Sequence, residues 1–167
     1  SFAEMIREIS RGSLTLVRQD LSRRTYFPRW DRPSAACLVP FEKSCSEVDA
    51  FCRALDFGPY LNPMGLPKIL LGASYYGVTS HLVTPASPGS GREPGTILRA
   101  SPDGLVVAVK DGTVAFRSIV ELTGQPVEIP ALLGRHNLQE GDWLHTPPAE
   151  TARRVTEFHS EVARWEA

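Results

Sequence analysis

The sequence predicts an α+β fold. A small open β-barrel is preceded by a helical and extended region and followed by a C-terminal helix. Three observations carry this. KILL, YYGVTSHLV, GTILRAS, LVVAV and TVAFRSIVEL are five short, β-branched or alternating runs, separated by TPASPGSGREPG, PDG and KDG. Ser44 opens a capped amphipathic stretch. The tail places Val155, Phe158, Val162 and Trp165 on one helical face.

Residues 2–11, FAEMIREISR, put Phe2, Met5, Ile6 and Ile9 on one side, and Gly12 stops the helix. The chain enters this helical pattern at once, which suggests a piece of a longer polypeptide. LTLV, residues 14–17, has the character of a brief strand. RRTYFPRWDRP is basic, aromatic and Pro-rich, and reads as extended chain lying on a surface.

In Ser44-Cys45-Ser46-Glu47 the hydroxyl and the carboxylate can each satisfy a free backbone N–H. Val48, Phe51, Cys52 and Leu55 then share a face, so the spacing predicts a helix over residues 45–56. RALDFGPYLNPMGLPK ends it. Gly58 and Gly65 precede Lys68, but the spacing is not GxxxxGK[ST], and Pro59, Pro63 and Pro67 lack the N–H donors of a phosphate cradle. We read this stretch as a structural strap. Phe57, Tyr60 and Met64 are its packed anchors, Gly58 and Gly65 permit its turns, Asn62 lies between them, and Lys68 begins a strand.

Among the strands, Asp103-Gly104 and Asp111-Gly112 are hairpin signals. Residues 84–95 form the longest loop. PALLG predicts a short helical turn before EGDWL closes the region. Pro147 and Pro148 open the tail helix, where a missing N–H costs little. The chain divides into residues 1–40 (helix and extended linker), 41–72 (capped helix and Pro/Gly loop), 73–146 (barrel) and 147–167 (linker helix).

Composition excludes several classes. Of 167 residues, 42% are hydrophobic and 22% charged, which supplies a core and argues against disorder. No run is apolar and long enough to span a membrane. Cys37, Cys45 and Cys52 are odd in number and form no CxxC pair, so a disulfide framework is not expected and a reducing cytoplasm is. Close zinc-ligand pairs are also missing. His81, His136, His145 and His159 are scattered, and the cysteines read as small core hydrophobes. No motif marks a nucleophilic cysteine.

Arg23, Arg24, Arg29 and Arg32 alternate with Tyr26, Phe27 and Trp30, a pattern that can bind single-stranded nucleic acid. The favoured reading is an arginine-rich linker whose aromatics pack on a neighbouring domain. Between residues 73 and 145, five basic residues face seven acidic ones, a balance of −2, so no phosphate-tracking groove is implied.

In order, SCSEVDAFCRAL, PGTILRASPDGLVVAVKDGTVAFRSIVEL and LLGRHNLQEGDWL resemble the second half of methionyl-tRNA formyltransferase-like proteins, over roughly residues 40–145. RRTYFPRWDRP and RALDFGPYLNPMGLPK resemble the version embedded in non-ribosomal peptide synthetases and polyketide–peptide hybrids. TARRVTEFHSEVARWEA is similar to the linker leading into a condensation domain. The resemblance implies an OB-like barrel of the formyltransferase C-terminal type. It implies that formyl transfer from formyl-tetrahydrofolate belongs to an N-terminal domain absent from this sequence. This chain alone is therefore expected to hold no catalytic, cofactor-binding or metal-binding residue and to have no enzymatic activity.

Its implied role is a structural and interaction module contacting adjacent domains, such as a carrier or condensation domain. Arg23, Arg24, Tyr26, Phe27, Trp30, Phe158 and Trp165 are its candidate interface residues. Two alternatives stand beside it. One is a fragment of an active formyltransferase, and the other is a tRNA-binding barrel.

Overall fold

The computed structural model describes residues 2–25, 33–58, 60, 62, 65–86, 91–146 and 149–165. Helix α1 spans Phe2–Ser10 and buries none of its residues. Residues 14–17 form no strand and lie exposed. Short 3₁₀ turns follow at Leu21–Arg23 and Ser34–Cys37.

Helix α2, Cys45–Ala54, begins with the reciprocal cap that the sequence predicts. Ser44 N–H donates to Glu47 Oε2 at 3.0 Å, and Glu47 N–H donates to Ser44 Oγ at 3.3 Å. The helix buries Cys45, Val48 and Cys52, and Leu55 at its C-cap is also buried.

Six antiparallel strands follow: β1 (Lys68–Leu71), β2 (Ser74–Pro85), β3 (Ile97–Ser101), β4 (Gly104–Val109), β5 (Gly112–Val120) and β6 (Pro126–Val127). The order across the curled sheet is β1-β2-β5-β4-β3, with β6 against the end of β5. β6 is the strand the sequence hides, because two residues beginning with Pro carry no alternation. It is created by the turn after β5, where Glu121 N–H donates to Gln125 O at 2.8 Å.

Both hairpin signals hold, for different reasons. Gly104 adopts φ 141°, which side chains rarely tolerate. Gly112 has no such φ; it is required by space, because a Cβ there would stand 2.3 Å from Thr84 O and 2.6 Å from Cys45 Sγ.

Each outer edge of the sheet carries one isolated bridge. Leu38 bridges Lys68 in parallel outside β1, and Thr96 bridges Trp143 beside β3. Helix α3, Ile129–His136, is longer than the expected turn because Asn137 caps it in the left-handed region at φ 49° while Ile129 and Leu132 are buried. Helix α4, Ala149–Trp165, packs against the Ser34–Cys37 turn.

One core unites these pieces. Phe116, Leu105, Val107, Val114 and Ile119 of the sheet meet Val39, Phe41 and Val48 from before it, and Leu132 and Leu144 from after it. The Phe41 and Phe116 rings meet edge to face at 6.2 Å. Among the described residues no helix is long and apolar enough to cross a membrane.

Candidate functional site

The Pro/Gly loop after α2 is shaped by three polar anchors. Asp56 Oδ1 accepts from Gly58 N–H at 2.8 Å, an Asx turn that carries the chain off the helix. Asn62 Nδ2 donates to Leu55 O at 2.8 Å and to Gly65 O at 2.9 Å, tying the middle of the loop to the helix end. Lys68 Nζ donates to Ala36 O at 2.9 Å and Leu66 O at 3.3 Å. The Ala36 carbonyl belongs to a left-handed turn in which Ala35, Ala36 and Cys37 have φ of 52°, 54° and 67°. Such a turn is costly for L-residues, and the ammonium contact offsets part of that cost.

The loop does not lie flat on the sheet. Between it, β2 and the turn after β5 is a cavity of about 610 Å³. Its inner wall is Cys52, Leu66, Pro67 and Val78, and its rim carries Asp56, Phe57, Tyr60, Glu121 and Leu122. Gly77, Val78 and Thr79 line it in succession, beside the β2–β5 register shifts between Val78 and Ser80 and between Ser80 and His81. An irregularity of this kind re-aims side chains that strict alternation would send to opposite faces.

The packed-anchor expectation is corrected here. Tyr60 is 77% exposed and Phe57 41%. Asn62 does the anchoring through hydrogen bonds, so the aromatic rings are left at a rim. Met64, the third expected anchor, lies outside the described residues. Gly58 and Gly65 do take positive φ, 60° and 92°.

Two titratable groupings flank the cavity. His81 Nε2 pairs with Asp49 Oδ1 at 3.1 Å, and Arg53 Nε donates to Asp49 Oδ2 at 2.7 Å. Arg53 first, and His81 second, hold the Asp49 carboxyl below its ordinary range. Cys52 also lines the cavity, but burial, reinforced by the charge of Asp49, pushes its thiol up to about 12. A nucleophilic cysteine needs the opposite shift. His81 and Asp49 are paired as such a system would require, but the raised Cys52 thiol argues against a Cys–His–Asp nucleophile here.

Farther along, Tyr76 Oη and His136 Nε2 share a hydrogen bond at 2.8 Å while Arg135 Nη1 donates to Tyr76 Oη at 3.3 Å. This joins β2 to α3. The three cysteines are buried and form no disulfide with one another, and among the described residues they join no cluster of metal-ligand type.

The candidate interface residues are dispersed. Arg23 ends the first 3₁₀ turn and Arg24 caps it, both at the surface. Phe158 is 60% exposed and Trp165 85% exposed on α4. Tyr26, Phe27 and Trp30 lie outside the described residues. Sequence reasoning missed the cavity members His81, Glu121 and Leu122. They sit on β2 and beyond β5, and nothing in one-dimensional spacing brings them to the loop.

No curated protein matches this chain. Its fold is similar to a crystal structure of a HypX variant from Aquifex aeolicus, with a TM-score of 0.50 and 14% identity. The match covers 87% of this chain and 27% of that one, so this chain spans about a quarter of HypX. At such identity the likeness concerns the fold alone. The family described as "Formyl transferase, C-terminal domain" matches residues 33–137, which take in the region from the Ser34–Cys37 turn through α3. The chain therefore belongs to the family of formyl transferase C-terminal domains.

Proposed function

We propose that this chain is a non-catalytic structural and interaction module, the C-terminal part of a formyltransferase-like region in a peptide-synthetase or hybrid polyketide assembly line. Its work is to hold neighbouring domains, such as a carrier or condensation domain, in position. The observation that carries this reading is the exposed apolar face of α1. Phe2, Met5, Ile6 and Ile9 all stand open to solvent, while the core is complete without them. Helix α4 repeats the pattern with Phe158 and Trp165. Apolar stripes of this kind favour burial against another body. The curled sheet, with both edges bridged, fits an OB-like barrel used as a scaffold. The three buried thiols fit a reducing cytoplasm.

In a formyl-transfer assay with formyl-tetrahydrofolate and an aminoacyl acceptor, this chain should give no turnover. Turnover above background would overturn the reading. Added in trans to flanking regions of the parent protein, the chain should bind them. Phe2→Ser with Ile6→Ser should weaken that binding and leave thermal stability unchanged.

The family match favours a second reading, in which the chain is a fragment of an active formyl-tetrahydrofolate-dependent formyltransferase. An upstream Asn–His–Asp catalytic domain in the parent sequence, active in the same assay when joined to this chain, would establish it.

A further inference from the structure

The cavity under the loop has a chemistry of its own, independent of the domain-positioning role. Its volume of about 610 Å³ falls in the range of small-molecule sites. Its inner wall is apolar, with Leu66, Pro67 and Val78, and its rim adds the open ring of Phe57 and the exposed side chain of Leu122.

The charges around it are unequally available. The two cationic-type groups in its lining are committed elsewhere. Lys68 Nζ spends two of its three N–H bonds on the Ala36 and Leu66 carbonyls, and His81 is held by Asp49. Each of the two carboxylates, although Glu121 is ion-paired with Arg135, keeps one oxygen without a partner among the described residues. Asp56 uses only Oδ1, for the Gly58 N–H. Glu121 has one long, exposed contact, Oε1 to Arg135 at 3.4 Å. Asp56 lies on the loop side of the cavity and Glu121 in the turn just past β5, so acceptor charge stands on two sides of an apolar pit. An aromatic ring beside a carboxylate also favours a cation over an anion.

We infer that this cavity binds a small amphipathic cation, an organic amine with an aromatic or branched apolar body. The body fills the space against Leu66, Val78 and Phe57, and the ammonium sits between Asp56 and Glu121.

The test uses the intact, ¹⁵N-labelled chain and three probes of similar shape: 2-phenylethylamine, 2-phenylethanol and 3-phenylpropanoate. Amide shifts should saturate at Gly58, Gly77 and Gly124, with affinity falling from amine to alcohol to acid. The paired variant Asp56→Asn and Glu121→Gln should bind the amine about tenfold more weakly and the alcohol unchanged. Its amide dispersion reports that it is folded. Phe57→Ala, at an exposed position, should weaken amine and alcohol together. The inference is overturned if the acid binds as well as the amine, if no shifts saturate, if they map away from the cavity, or if the paired variant keeps its amine affinity.

Discussion

The Asp111 carboxylate accepts a hydrogen bond from the backbone N–H of Cys45 at 2.6 Å, across 66 residues of sequence. Cys45 is the first residue of α2, and Asp111 occupies the turn between β4 and β5. One side chain therefore ties the β4–β5 turn to α2 and places a negative group at a helix N-terminus, where free N–H groups and the helix dipole favour it. Asp111→Ala should cost about 1–2 kcal/mol in chemical denaturation, with Asp111→Asn costing less. Equal stability of the alanine variant and the parent would show that the contact contributes nothing net.

Gly112 and Gly124 separate two reasons for glycine. A methyl at Gly112 meets Thr84 O, Cys45 Sγ and Ala86 N, all under 3.0 Å, two of them backbone atoms held in place by the sheet and its turn. Gly112→Ala should lose roughly 2–4 kcal/mol or prevent folding. A methyl at Gly124 meets nothing within 4 Å, and only its φ of 88° is unfavourable. Gly124→Ala should cost about 1 kcal/mol. Thermal melts of the pair give the comparison, and a reversed order would contradict the geometry.

The Cys52 thiol has a higher pKa in the folded state, about 12, than its ordinary 9.0. The folded protein thus keeps a proton that the unfolded chain releases. The contribution is fully present below 9.0 and is lost as pH rises toward about 12. Stability measured relative to Cys52→Ala should therefore decline across that alkaline window and stay level below it. At neutral pH, Cys52 in the folded chain should resist iodoacetamide and react once denaturant is added. Rapid labelling of Cys52 without denaturant would contradict its burial.

The loop gives a contrast between a residue that faces solvent and one that ties the chain. Tyr60→Ala should change stability by less than about 0.5 kcal/mol, because its ring is exposed. Asn62→Ala leaves the Leu55 and Gly65 carbonyls without their amide donor and should cost about 1–2 kcal/mol. Urea titration of the two variants distinguishes them, and equal losses would return the aromatic ring to an anchoring role.

Local signals in the sequence were legible where one segment satisfies itself. The cap of α2 needs only Ser44 and Glu47, and the hairpins need only a turn and two flanking alternations. β6 and the full length of α3 were not legible. The first exists because β5 offers it an edge, and the second because Ile129 and Leu132 find the core. The left-handed turn at Ala35, Ala36 and Cys37 has no signature either, since nothing in Ser-Ala-Ala-Cys asks for positive φ. The carbonyl contact from Lys68, 32 residues away, helps hold it.

By itself the sequence determined the strand-rich middle, the capped helix, the apolar stripes of α1 and α4, and the ordered motifs that led to the formyl transferase family. Those properties follow from side-chain period and local hydrogen bonding, which act within a few residues. The tertiary structure alone decided that the Pro/Gly loop is tied by Asn62 rather than by its aromatics, and that it stands over a cavity. That outcome depends on the register shift in β2 and on a turn beyond β5. These bring His81, Glu121 and Leu122 beside Asp56, Phe57, Leu66 and Pro67, and proximity of that kind is set by chain packing, which the order of residues does not display.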